Sequence, residues 1–127
     1  MIIMTVEPLC DSKPGPIMVY ACACGSNVGQ LANEGTRRAA LEGKVKMACL
    51  PGIGIRMETS IQAARNAKRL IVVDGCGMKC GKKMLETAGF AASDHVIVTE
   101  LGIAKNLELK LNQDDIERVR AAIISKA

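Results

Sequence analysis

The stretch that decides the fold is LIVVDGCGMKCG, residues 70–81. Its apolar run stops at Asp74, and such a continuous run is typical of a parallel strand that is buried on both faces. The glycines and two cysteines that follow predict a turn and then the start of a helix. The stretch leaves open whether Cys76 and Cys80 bind a metal, carry out redox chemistry or only pack in the core.

Three further apolar runs predict strands, and helical patterns separate all four. Apolar residues recur on one face over about 27–42 and 56–68, and a third helix is expected to end near Gly89. A fourth helix is expected after Asn112, which can serve as its N-cap, and this helix is lined by Ile116, Val119 and Ile123. The three further strands are IMVYAC (17–22), VKMAC (45–49) and HVIVTE (95–100).

The alternating order βαβαβαβα predicts an α/β fold, a three-layer αβα sandwich around a small, mostly parallel four-stranded sheet. This architecture is Rossmann-like or flavodoxin-like. We expect the strand order 2-1-3-4, because it places the first strand between the second and the third. Residues 1–16 include three prolines and predict an irregular N-terminal arm, and residues 17–127 predict a single α/β metal-binding domain.

Composition excludes several classes of protein. The chain of 127 residues carries a net charge of only +4 and 2% aromatic residues, so we expect no nucleic-acid partner. No uncharged stretch is apolar enough for a signal peptide or a membrane span. A cytoplasmic location is therefore expected, where the six cysteines are thiols, metal ligands or redox groups rather than disulfides.

The spacing of the cysteines is the main functional signal. Cys22, Cys49 and Cys76 each lie at or just past the end of a predicted strand, and 27 residues separate each from the next. In open α/β sheets, ligands bind beyond the carboxyl ends of the strands. Neighbouring strands lie about 4.8 Å apart, so three thiols at adjacent strand ends can converge on one point.

Cys80 supplies a fourth thiol. If the third helix begins at Cys76, Cys80 lies one turn further on the same face. Four thiols from three loops match a tetrahedral four-cysteine zinc site. The same thiolates also suit an iron–sulfur cluster, and a thiol redox or sulfur-transfer enzyme with Cys76 or Cys24 as nucleophile is a further alternative. Cys10, in the arm, is expected to be a free thiol without a function.

Other polar residues near the strand ends have competing interpretations. Asp74 either hydrogen-bonds a group that binds the metal, acts as a general base, or orients the following turn. Ser26 or Asn27 either binds an anion or caps a helix. PGIGIRM, residues 51–57, predicts either glycines that let the backbone approach the site or a ligand, or a tight loop that needs a positive φ. His95, the only histidine, begins the fourth strand and is expected at the opposite edge of the sheet from the cysteines, so it is not expected to be a ligand.

Four segments resemble one known family. They are YACACGSNVGQLANE (20–34), KMACLPGIG (46–54), DGCGMKC (74–80) and VIVTELGI (96–103). Together they resemble the DGC-domain family over about residues 17–107. That family is regarded as zinc-binding because of four potential chelating cysteines, and its biochemical role is not established.

The resemblance implies which cysteines bind the metal. The matching positions are Cys22 in YAC, Cys49 in MAC, Cys76 in DGC and Cys80 in MKC. Cys24 stands where the pattern carries a glycine, and it is an alternative to Cys22 for completing the site.

Overall fold

The computed structural model describes residues 17–127. The predicted N-terminal arm, residues 1–16, and with it Cys10 lie outside the described residues. The described strands are β1 (Ile17–Ala21), β2 (Lys46–Met47), β3 (Arg69–Asp74) and β4 (Asp94–Ile97). The described α-helices are α1 (Asn27–Leu41), α2 (Leu50–Gly54), α3 (Glu58–Asn66), α4 (Cys80–Thr87) and α5 (Gln113–Lys126), and a 3₁₀ helix spans Val98–Leu101.

The four strands form one sheet in the order β2-β1-β3-β4, and every neighbouring pair is parallel. The α/β class, the parallel sheet and the strand order 2-1-3-4 are therefore confirmed. β1 pairs with β3 over its whole length, from Ile17 opposite Arg69 to Ala21 opposite Val73. All residues of these two strands after the first are buried, as the continuous apolar runs predict.

Alternate side chains of the central strands point to two separate cores. Val19, Ile71 and Val73 pack in a cluster with residues of α1 and α5. Tyr20 and Val72 pack on the other face with residues of α2, α3 and α4. The helices thus cover both faces of the sheet, and the predicted three-layer sandwich is confirmed.

The helix caps follow the predicted chemistry. The Ser26 hydroxyl accepts the Gly29 N–H at 3.2 Å at the start of α1. The Asn112 side chain accepts the Asp115 N–H at 2.7 Å at the start of α5. The interpretation of Ser26 and Asn112 as N-caps is therefore confirmed.

The prediction of a loop directly after β2 is wrong. Residues 51–57 predict a tight loop, but the structure has the short helix α2, with Pro51 in its first turn. Proline has no N–H to lose there, and the Cys49 sulfur accepts the Gly52 N–H at 3.3 Å as an N-cap. The next helix, predicted over 56–68, spans Glu58–Asn66.

The fourth strand is shorter than predicted. It ends at Ile97, and the rest of the predicted run, from Val98 on, forms the 3₁₀ helix. Over residues 17–127, no helix is both long and apolar enough to cross a lipid bilayer.

Candidate functional site

Three cysteines follow three adjacent parallel strands. Cys22 comes directly after β1, and Cys49 and Cys76 each lie two residues past the ends of β2 and β3. Because β1 lies between β2 and β3, the three backbone positions meet at the carboxyl edge of the sheet. The five cysteines that the structure describes are all free thiols.

The side chains of these cysteines divide between the two faces of the sheet. Cys22 belongs to the core under α1 and α5, and Cys76 packs against that core. Cys49 caps α2 and Cys80 begins α4, both of which lie on the other face. Within residues 17–127, no three His, Cys, Asp or Glu side chains are grouped so that they could hold a metal ion.

The start of α4 corrects one premise of the predicted site. The helix begins at Cys80 rather than at Cys76, and the residue before it, Lys79, is in the left-handed conformation with φ at 55°. Cys76 lies in the preceding turn, where its carbonyl accepts the Lys79 N–H at 3.1 Å. Cys76 and Cys80 are therefore not an i, i+4 pair on one helix.

Cys22 and Cys24 have opposite environments although they are two residues apart. Cys22 is buried, and this burial raises the pKa of its thiol. Cys24 is exposed, and its sulfur lies 3.0 Å from the Ser26 hydroxyl. That hydroxyl accepts the Gly29 N–H, so its own hydrogen is free to be donated to the sulfur.

The hydrogen bond from Ser26 is the main cause that lowers the pKa of Cys24. The nearby Cys22 thiol and the positive charge of Lys105 lower it further. Cys24 is therefore the more easily ionised thiol of the pair, and it is also the one that solvent reaches.

Lys105 is a site residue that no sequence signal indicated. Its Nζ lies 3.5 Å from the Cys76 sulfur. The segment that carries Lys105 is held by Asn27, whose side chain donates to the Ala104 carbonyl at 2.8 Å and accepts the Asn106 N–H at 2.7 Å. Asn27 thus fixes a cation beside the thiols, in addition to its place at the start of α1.

Asp74 is almost completely buried and holds the first turn of α4. Its carboxylate accepts the N–H groups of Gly81 at 2.7 Å and Lys82 at 3.1 Å. The interpretation of Asp74 as a group that orients the next turn is therefore confirmed, and its hydrogen bond to a metal ligand stays a prediction.

His95 is expected at the edge of the sheet opposite the cysteines, but its side chain reaches the edge where the cysteines lie. Its backbone pairs with Val72, two residues before the end of β3, but its Nε2 reaches Asp74 Oδ2 at 2.8 Å. The imidazole therefore contacts a residue at the carboxyl edge of the sheet, because the histidine side chain extends along the sheet toward that edge.

Cys80 lines a hollow of about 310 Å³ between α2 and α4. Ile53 and Met84 provide its apolar surface, and Arg56 and Lys83 provide two cations. The Arg56 guanidinium donates to the Thr87 carbonyl at 2.9 Å, so one of these cations is already engaged with the end of α4.

The donor chemistry of the four cysteines fits a thiophilic metal. Free thiols suit zinc and iron–sulfur clusters, and Lys105 and the Gly52 N–H are groups of the kind that stabilise a metal-bound thiolate. A tetrahedral site would require the side chains of Cys49 and Cys80 on one face, and those of Cys22 and Cys76 on the other, to turn toward the shared sheet edge.

Comparison with known proteins agrees with the resemblance seen in the sequence. The DGC domain matches residues 18–123. The anaerobic and virulence modulator AnvM of Pseudomonas aeruginosa is 30% identical over 102 residues, which cover 80% of this chain and 78% of AnvM. The search of solved structures found no match. The match to the DGC domain spans most of the chain, and the protein belongs to the DGC-domain family.

Proposed function

We propose that this protein binds a zinc ion through Cys22, Cys49, Cys76 and Cys80, with Cys24 as the substitute for Cys22. The observation that carries the proposal is the strand order: three of these residues follow three adjacent parallel strands at one sheet edge.

Metal binding would draw together thiols that now lie on two faces of the sheet. The free energy of zinc binding by cysteine-rich sites, about 10–16 kcal/mol, exceeds the cost of changing a few side-chain rotamers and one loop. Lys105 would offset part of the negative charge of a four-thiolate site. A cytoplasmic, reducing location belongs to the same proposal, because it keeps the thiols available.

We propose a binding role rather than catalysis. Four cysteine ligands leave no open position on zinc, which is the pattern of structural sites. The name of the relative AnvM describes a modulator, which supports a regulatory binding protein. We expect a protein or small-molecule partner and no nucleic acid, because the net charge of +4 is modest.

Metal analysis of the full-length protein, purified under reducing conditions, tests the proposal. We expect about one zinc per chain, and we expect serine at any of the four positions to remove it. Cys10→Ser is the matched control, since Cys10 lies outside the four, and it should keep the zinc. If Cys24→Ser loses the metal while Cys22→Ser keeps it, Cys24 is the fourth ligand. Zinc-free wild-type protein would contradict the proposal.

A thiol redox or sulfur-transfer enzyme is the second candidate. The observation that favours it is the exposed Cys24 sulfur, which is hydrogen-bonded to Ser26 and has the Cys22 thiol beside it. In this case the metal-free protein stays folded, and Cys24 is alkylated much faster than the other thiols. Iron content and visible absorption in the same preparation distinguish an iron–sulfur cluster from both candidates.

A further inference from the structure

The segment between the 3₁₀ helix and α5 has the sequence pattern of a strand but belongs to no described sheet. Its residues 107–111 read LELKL, and this alternation of leucine with charged residues is typical of a β-strand with one apolar side. Residues 108–111 form no helix, turn or bend, and the backbone at Asn112 is extended, with φ −91° and ψ 155°. The segment is therefore strand-like, yet no described strand lies beside it.

The apolar side of this segment is largely uncovered. Leu107 is 80% exposed and Leu109 is 63% exposed, whereas Leu111 packs against the core under α1 and α5. Single exposed leucines are ordinary on protein surfaces. Leucines at alternate positions of one segment instead form a continuous apolar strip, and such a strip marks a place where another molecule binds.

The backbone of the same leucines is available to a second strand. No hydrogen bond of the described residues uses the N–H or C=O of Leu107, Leu109 or Leu111. The N–H of Glu108 donates to Asn106 Oδ1 at 2.9 Å. In an antiparallel pair, alternate residues direct both their N–H and their C=O to the partner strand. The occupied N–H of Glu108 therefore belongs to the other edge of the segment, and the edge offered by the leucines is open.

The charges of the segment favour a second copy of this chain as the partner. None of the ion pairs between described residues includes Glu108 or Lys110. If two copies pair antiparallel about a two-fold axis at Leu109, Glu108 of each copy faces Lys110 of the other. The same register places Leu107 opposite Leu111 of the second copy. A parallel pair in register would instead place like charges opposite each other, so the segment is complementary to itself in the antiparallel register.

We propose that residues 107–111 of two copies pair as antiparallel strands and join the protein into a two-fold symmetric dimer. The pairing forms backbone hydrogen bonds, covers the leucine strip and closes two Glu–Lys pairs. A contact of five residues from each copy is at the low end of interface sizes, below about 1,200 Å², so the dimer is weak and forms at high protein concentration. The inference is independent of the proposed metal site, whose cysteines lie outside residues 107–111.

Sedimentation velocity of the full-length, reduced protein over a concentration series up to about 1 mM tests the proposal. We expect a monomer–dimer equilibrium for the wild type. Glu108→Lys and Lys110→Glu each replace two attractive pairs by two repulsive ones, so each should raise the dissociation constant about 10-fold. The double variant exchanges the two charges and should restore dimerisation. An equimolar mixture of the two single variants should form a heterodimer.

Overall charge alone predicts a different result for one of these variants. The net charge of the chain is +4, so Lys110→Glu would strengthen association if only overall charge mattered. Lys44→Glu is the matched control, because it makes the same change of charge in the exposed turn between α1 and β2, and it should keep the wild-type dissociation constant.

Two results would overturn the inference. One is a wild-type protein that stays monomeric throughout the concentration series, as expected if the leucine strip binds a different protein. The other is a dimer whose dissociation constant does not change in Glu108→Lys and Lys110→Glu, because the two copies would then meet through another surface.

Discussion

Replacing Asp74 by alanine is expected to destabilise the protein through the first turn of α4. The carboxylate is 1% exposed and accepts three donors: the N–H groups of Gly81 and Lys82, and Nε2 of His95. Alanine removes all three acceptors and leaves a small void at the end of β3.

The magnitude follows from what each donor can do after the substitution. The buried Gly81 N–H loses its only side-chain partner, which costs about 1–3 kcal/mol. Lys82 and His95 are half-buried, so water can replace part of their loss. Adding about 1 kcal/mol for these two partly solvated donors to about 2 kcal/mol for Gly81, we expect the free energy of unfolding to fall by about 3 kcal/mol. At about 4 °C per kcal/mol, Tm should fall by roughly 12 °C.

Urea unfolding of Asp74→Ala, with circular dichroism as the signal, measures this change. Asp74→Asn should lose less stability, because the amide keeps the shape and one acceptor oxygen. Glu86→Gln is the control: Glu86 forms an exposed pair with Lys82 at 3.2 Å, and such pairs contribute only about 0–1 kcal/mol. A loss in Asp74→Ala no larger than that of Glu86→Gln would refute the assigned anchoring of α4.

Two further predictions test other contacts. Ser26→Ala should raise the pKa of Cys24, because the Ser26 hydroxyl is the main cause that lowers it, so the pH profile of Cys24 alkylation should move to higher pH. Asn112→Ala also removes a helix cap and should leave that profile unchanged, whereas a shift in both variants would contradict the argument. Gly35→Ala would place a Cβ 2.4 Å from Val119 Cγ1 between α1 and α5, and overpacking of this kind costs about 1–3 kcal/mol. An unchanged Tm would show that the two helices separate easily.

The fold was largely predictable because its signals are local. The runs at 17–22 and 70–73 are nearly continuously apolar, which is typical of a strand that is covered on both faces. The two-residue strand β2 and the short helix α2 were harder to predict, since each is stabilised by neighbours rather than by its own pattern. α2, for example, depends on the Cys49 cap and on packing against α4.

The site was predictable only as far as the backbone determines it. Equal spacing placed three cysteines at adjacent strand ends, but it could not say which face each side chain takes. Lys105 and His95 reach the strand ends from distant segments, so no local pattern indicates them.

X-ray absorption at the zinc edge of the purified, reduced wild-type protein identifies the atoms that bind the proposed zinc ion. We expect a single shell of four sulfur neighbours at about 2.3 Å, supplied by the four cysteines at the carboxyl edge of the sheet. A protein without zinc, or a shell dominated by oxygen and nitrogen, would contradict it.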